Sequence, residues 1–405
     1  MKLSRLSSKF DKGFFNMYQF GYDGDKLGVK VDRIKDYFYY SAEHIQDILD
    51  IRQFDCKHTD LYTTLYGDKV YKVYYSAIKA KNELVKKYPD RIYQADVTPE
   101  FKFMLDRKLE WSSKRHIMYF DIETWFDPEQ PKANMPHKAM MPVTSVVCYS
   151  NFHKKYWVIS WHPEHTKDFD EPKITEKDNV NYMLCKDENT VLLSFIELLG
   201  IMKTDVLTGW YSAGYDLPYI INRCKRLGLP YENLSPLKDV YIKKRGEYWR
   251  INIKGLDHVD MMEAVQDMGY NLPNWKLTTA VKEIIGDEDL DKLTEVTWRD
   301  WIDNYKGFIE YGIRDVEILA ELDKKIQIFD LYTTLQQIAH TDTLGGTFHK
   351  SMVVDNYILK ENHGKIVFPT RHTRAKQQYA GAIVFNPREP GRHKDVTVMD
   401  YTSLY

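Results

Sequence analysis

A mixed α/β chain of more than one domain is the fold class predicted by three observations. First, 405 residues is enough for two or three sizeable cores. Second, from residue 111 onward short apolar runs of strand character alternate with stretches of helical periodicity. Third, aromatics make up 14 % of the chain, 30 of them Tyr, which is too much apolar surface for a disordered polymer. The 57 basic side chains against 59 acidic ones leave a formal charge of −2, so no global field advertises a polyanion partner and any nucleic-acid contact must be local. The four cysteines, Cys56, Cys148, Cys185 and Cys224, have neither metal-ligand spacing nor a disulfide framework. The start of the chain lacks an apolar leader and no run approaches membrane-spanning length, so a soluble cytoplasmic protein is expected, with no membrane partner.

Residues 1–110 read as a mixed N-terminal domain, with a strand at Val70–Tyr75 and a helix over 76–87. The run His116–Phe120 is a buried strand ending in Asp121-Ile122-Glu123. Alternation along a strand sends both acids to one side. Asp-x-Glu by itself decides little, since it recurs at Asp127-Pro128-Glu129 and Asp315-Val316-Glu317. A Pro-rich loop follows, then strands at 143–149 and 156–160 in an antiparallel meander with the first. Residues 162–188 are polar and acid-rich, a surface insertion in which His162 and His165 are solvated.

A helix is predicted over 190–202, a short strand at 205–210 and a helix over 217–227, punctuated by Pro218 and Gly228. Asp216 stands at the N-cap of that helix, where it would need no further role. Alternatively it is a third carboxylate, presented where a strand hands over to a helix. A basic hairpin spans 240–253, and another strand ends near Asp260. One long helix is expected from Trp301 to about Phe329. On it Tyr311 and Asp315, four apart, share the face that Ile318 and Leu322 carry into the core. Between Lys360 and Lys394 eight Lys or Arg face two Glu, interleaved with Tyr379 and Gly381, a pattern able to track a phosphate backbone. A last apolar run, Val396–Met399, ends in Asp400.

Asp121, Glu123, Asp216 and Asp315 thus end a strand, start a helix or lie on a helix's buried face. A layered α/β fold can bring such positions to one sheet edge. Like charges about 4 Å apart repel by roughly 4 kcal/mol at an effective dielectric near 20, so four converging acids call for a cation. An all-oxygen donor set selects Mg²⁺ or Mn²⁺, and a pair of such ions suits hydrolysis of a phosphodiester. Tyr311 could aim the attacking water.

Taken in order, these residues resemble family B DNA polymerases. Asp121-Ile122-Glu123 is similar to the first exonuclease motif of that family. Leu207–Trp210 through Tyr215-Asp216-Leu217-Pro218-Tyr219-Ile220 is similar to the second, and Tyr311-Gly312-Ile313-Arg314-Asp315 to the third. Tyr379-Ala380-Gly381-Ala382 resembles the linker that contacts template DNA, and Asp400–Tyr405 the start of the first polymerase motif. The likeness covers residues 111–405 and is nearest to polymerases of tailed phages.

It implies a ribonuclease H-like 3′→5′ exonuclease domain over 111–335, an α+β N-terminal domain over 1–110, a return segment and basic linker over 336–390, and the start of a polymerase palm over 391–405. It further implies two Mg²⁺ or Mn²⁺ ions on Asp121, Glu123, Asp216 and Asp315, with Tyr311 catalytic and Asp400 a ligand of an incomplete polymerase site. The DNA contacts it implies are Tyr211, Arg371, Arg374, Lys376, Tyr379 and Gly381. The family usually carries Asn where Tyr211 stands, five residues before Asp216, which bears on placement of the substrate strand. The palm's other carboxylates, an Asp-Thr-Asp motif, do not occur after Asp400; Thr341-Asp342-Thr343 has the wrong pattern and precedes it. The expected function is therefore proofreading of single-stranded primer ends during DNA replication, with polymerisation requiring a further C-terminal part or subunit. A catalytically silent, DNA-binding half of a split polymerase is the alternative.

Overall fold

The computed structural model describes residues 2–23, 26–246, 248–286, 297–371, 385–386 and 388–397. Residues as far as Thr370 form one compact unit, and those from Arg371 onward form a second. Arg374, Lys376, Tyr379, Gly381 and Asp400 lie outside the described residues.

The chain opens with an antiparallel three-stranded sheet, β1 (Lys2–Asp11), β2 (Phe14–Asp23) and β3 (Lys26–Ile34). A four-stranded antiparallel sheet follows, built from β4 (Tyr37–Ser41), β5 (Phe54–Thr63), β6 (Lys69–Tyr75) and β7 (Ile92–Tyr93) in the order β5-β6-β4-β7. Helices α1 (Gln46–Leu49), α2 (Ile78–Lys87) and α3 (Pro99–Arg107) accompany these strands. Leu3, Phe15, Met17, Phe38, Tyr40, Phe103 and Trp111 share their core. Segment 363–370 returns to this region: Val367 exchanges backbone hydrogen bonds with Thr63 and Leu65, and the Ala95 amide donates to Thr370 Oγ1 at 3.1 Å.

The second part is built on a seven-stranded mixed sheet. In chain order its strands are β8 (Ile117–Thr124), β9 (Val143–Ser150), β10 (Lys155–Trp161), β11 (Lys173–Lys177), β12 (Val180–Cys185), β13 (Val206–Gly209) and, after the exposed hairpin β14 (Val240–Arg245) and β15 (Tyr248–Ile253), β16 (Asp257–Asp260). The spatial order is β11-β12-β10-β9-β8-β13-β16. Strands β8, β9 and β10 form the predicted antiparallel meander, whereas β13 runs parallel to both β8 and β16. The region read as a polar insertion instead contributes β11 and β12, with β12 parallel to β10. Its acids lie mostly in the segments flanking β11, an exposed edge strand that itself carries two Lys and one Glu.

Both faces of β8 are covered, which is why its sequence is nearly continuously apolar. Met118, Phe120 and Ile122 pack in the core that contains α4 (Glu188–Ile201) and α5 (Asp216–Leu227). Ile117 and Tyr119 face the other core, formed by α6 (Met261–Asp267) and, after the short helices α7 (Leu277–Ala280) and α8 (Asp300–Asp303), by α9 (Tyr305–Ile326) and α10 (Ile328–Ala339). The expected single helix from Trp301 is thus three helices. Asn304 caps α9 by accepting from the Gly307 amide at 3.2 Å, and Gln327, at φ 54°, turns α9 into α10. No helix among the described residues is long and apolar enough to cross a membrane.

The two parts are joined by a buried polar knot around Asp205, which is fully buried just ahead of β13. Asp205 accepts from Ser4 Oγ at 2.8 Å, from the His116 amide at 2.9 Å and from the Tyr22 hydroxyl. Arg5 Nε lies 2.8 Å from the same carboxylate, and its guanidinium also donates to the Gly255 carbonyl. A helix α11 (Lys350–Glu361) precedes the return segment.

Candidate metal centre

Strand alternation puts Asp121 and Glu123 on the face of β8 that carries Ile117 and Tyr119, toward α9. Helix α9 settles close to the sheet because Gly312 has no side chain: a Cβ there would stand 3.0 Å from Val147 Cγ2. One turn on, Asp315 reaches the strand acids. Carboxylate oxygens of Asp121, Glu123 and Asp315 all lie within 4.8 Å of one another.

Asp216 arrives from the neighbouring strand. Parallel β8 and β13 end at the same sheet edge, and a tight turn leads from β13 into α5. The close approach of β13 needs Gly209, whose Cβ would sit 2.6 Å from the Phe120 carbonyl oxygen. Asp216 is the first residue of α5 and not its N-cap; the cap position is Tyr215, with no side-chain cap bond. Buried Asp216 instead turns its charge on the strand acids.

The electrostatics are those of crowded anions. Burial, then Asp216, Glu123 and Asp315, hold the Asp121 carboxyl well above the usual carboxylate range. Burial and the charges of Asp315 and Asp216 push Glu123 up to about 8. Asp216 is pushed up to about 7 by burial and, more weakly, by Asp260; backbone amides, including that of Ile122, work the other way. Burial raises Asp315 to about 6 against a hydrogen bond from Tyr311. Burial and the charges of Asp315, Glu123 and Asp121 raise the Tyr311 phenol in turn, so its hydroxyl stays protonated beside the acids. Among the described residues no cationic side chain offsets any of the four carboxylates. Such a set fits a hard divalent cation, which would supply the missing positive charge to an all-oxygen donor shell.

The turn before α5 is fixed by a residue that reading the sequence missed. Asp260, 2 % exposed at the end of β16, accepts from the Tyr211 amide at 3.1 Å and from the Ala213 amide at 2.8 Å. It also caps α6 through the Met262 amide at 2.9 Å. The available signal was an Asp closing an apolar strand with Glu263 three residues on, the pattern of a capping box. Tyr211 itself has φ 55° and is half exposed.

Other candidates resolve differently. Asp127 is spent on a turn, accepting from the Glu129 amide and Gln130 Nε2 at 2.9 Å each. His162 is not solvated: it is 1 % exposed, stacks on His165 at 4.1 Å, and burial lowers its pKa. Apolar neighbours Trp301 and Tyr305 drew it in, which local polarity does not reveal. Arg371 is exposed at the start of the second unit.

Comparison with known proteins bears on the same residues. The model of the family B DNA polymerase exonuclease domain matches residues 83–280, which include Asp121, Glu123, Asp216 and Asp260. The DNA-directed DNA polymerase of Enterobacteria phage T4 is 24 % identical over 391 residues, covering 86 % of this chain and 42 % of the relative. That of Escherichia phage RB69 is 23 % identical, covering 85 % and 41 %. The DNA polymerase catalytic subunit of Alcelaphine herpesvirus 1 is 25 % identical, covering 74 % and 30 %. The chain therefore spans less than half the length of these relatives. Motifs, matched domain and relatives agree: over residues 83–280 the chain carries the exonuclease domain of family B DNA polymerases, and most of its length is similar to such polymerases.

Proposed function

We propose that this chain supplies the 3′→5′ proofreading exonuclease of a DNA-directed DNA polymerase, hydrolysing the last phosphodiester of a single-stranded primer end during replication. The observation that carries the reading is the meeting of Asp121, Glu123 and Asp315 within 4.8 Å, with the charge of Asp216 beside them. Asp121, Glu123, Asp216 and Asp315 would hold two divalent ions, Mg²⁺ or Mn²⁺. When bound, these supply the Lewis acidity that activates water and stabilises the departing 3′ oxygen. The side chains do the rest: the four carboxylates fix the donor geometry, and Tyr311, whose hydroxyl donates to Asp315, aims the attacking water. Tyr211 replaces none of the carboxylates, which favours the hydrolytic reading over a silent scaffold.

In the same reading the parts of the chain are an N-terminal domain (1–110), the exonuclease (111–335), a return segment and basic linker (336–390) and the start of a palm (391–405). Arg371, Arg374, Lys376, Tyr379 and Gly381 would track the DNA backbone. Asp400 would join a polymerase metal site completed by a C-terminal part or subunit, the whole acting in the cytoplasm, a host's if the chain is phage-encoded.

The test is digestion of a 5′-labelled single-stranded oligonucleotide. A ladder shortening from the 3′ end with release of mononucleotides, dependent on Mg²⁺ and stopped by chelator, is expected. Asp216→Ala should abolish it with the fold intact, and the chain alone should incorporate negligible nucleotide. Degradation by Asp216→Ala at the wild-type rate would overturn the assignment.

A further inference from the structure

The structure assigns to Tyr211 a role as a stacking platform for one of the last two bases of the strand entering the exonuclease centre; the assignment rests on the reading above. Three observations carry it. Tyr211 is 49 % exposed, although it sits one tight turn before a buried catalytic acid. One face of its ring is covered by Gly214, where a Cβ would stand 2.3 Å from two of the ring carbons. A half-exposed ring packed on a residue without a side chain leaves aromatic surface for a base.

The third observation is the backbone. Tyr211 adopts φ 55°, the left-handed region that few side chains other than Asn and Asp occupy readily. The surroundings over-determine that conformation. The Tyr211 amide donates to Asp260 Oδ1, and its carbonyl accepts from the Gly214 and Tyr215 amides at 3.0 Å each. The Asn usual at this place in the family fits the same backbone. Here the backbone is kept, and an aromatic ring is carried at the sheet edge where the carboxylates gather. A side chain that avoided substrate would have no reason to accept this conformation and this exposure together. Stacking is tolerant of base identity because every base has a π-face, as an enzyme trimming any mispaired end requires. It favours unpaired ends, because a base within a duplex is already stacked on its neighbours.

The experiment compares an intact oligothymidylate with one abasic at its last two positions. Binding is read by fluorescence anisotropy in Ca²⁺ and hydrolysis in Mg²⁺, for four proteins. Wild type and Tyr211→Phe should prefer the intact strand by roughly 5- to 140-fold, the equivalent of stacking one base. Tyr211→Asn keeps the backbone but loses the ring. Gly214→Ala keeps the ring but dislodges it, and Gly214 has no positive φ to forbid alanine. In both variants the preference should fall close to one. A preference that survives in both, or is absent from wild type, overturns the assignment, as does tighter binding of intact strand by both, which would make Tyr211 a plug. Base preference without hydrolysis would sink the nuclease reading alone; hydrolysis without base preference would sink the platform alone.

Discussion

Replacing Asp216 by Asn should stabilise the metal-free protein while destroying its activity. Asn keeps an oxygen to accept from backbone amides but removes one charge from the crowd. Raising the Asp216 carboxyl from its ordinary 3.8 to about 7 corresponds to about 4 kcal/mol against the ionised form at pH 8, an upper figure because the acids share protons. The sign follows from proton linkage. Between pH 3.8 and about 7 the folded chain holds a proton that the unfolded chain has released, so this contribution to stability is lost as pH rises. Urea denaturation in chelator should show the variant more stable than wild type at pH 8, by up to about 4 kcal/mol. That advantage should shrink by about 1.4 kcal/mol per pH unit below 7 and vanish near pH 4. Added Mg²⁺ should reverse the order, because only the intact carboxylate set gains from the cation. An acid spent on a cap or an ion pair would behave oppositely, its loss destabilising the fold. A variant no more stable than wild type in chelator at pH 8, or one stabilised by Mg²⁺ as strongly as wild type, would refute the reasoning.

Tyr311→Phe should lower kcat by roughly 10²-fold or more with little change in KM, measured by single-strand digestion. Since the Tyr311 hydroxyl lowers the Asp315 carboxyl, its removal should also move the acid limb of the pH–rate profile upward. Gly209→Ala places a methyl 2.6 Å from the Phe120 carbonyl oxygen and must part β13 from β8. A loss of about 1–3 kcal/mol in urea stability, with weaker Mg²⁺ stabilisation, is expected. Asp205→Ala leaves Arg5 buried without its counter-charge and strips Ser4, Tyr22 and the His116 amide of an acceptor. It should cost about 3–5 kcal/mol in urea denaturation, and the rate per folded molecule should not change.

The strand Ile117–Thr124 was legible because burial on both faces leaves a nearly continuous apolar run, and because alternation alone puts Asp121 and Glu123 on one side. The Tyr311–Asp315 pair was legible for the matching reason in a helix, a four-residue spacing continued by Ile318 and Leu322. Periodicity also located α5 and the short strand before it. It did not show that polar residues 162–188 extend the sheet, that Gln327 breaks a helix in the left-handed region, or that His162 is buried against Trp301. Each of these depends on neighbours distant in the chain.

Local sequence determined the kinds of element, the residues that line each face and the order of the acidic motifs, since these follow from chain periodicity and side-chain chemistry within a few residues. Tertiary structure decided what those acids do to one another. Only the parallel pairing of β8 with β13, and the closing of α9 onto Val147 through Gly312, bring four carboxylates into mutual repulsion. The same packing decided that Asp260 holds the turn and that Tyr211 lies over Gly214. Charge repulsion and ring contact depend on distances through space, and no spacing along the chain encodes those.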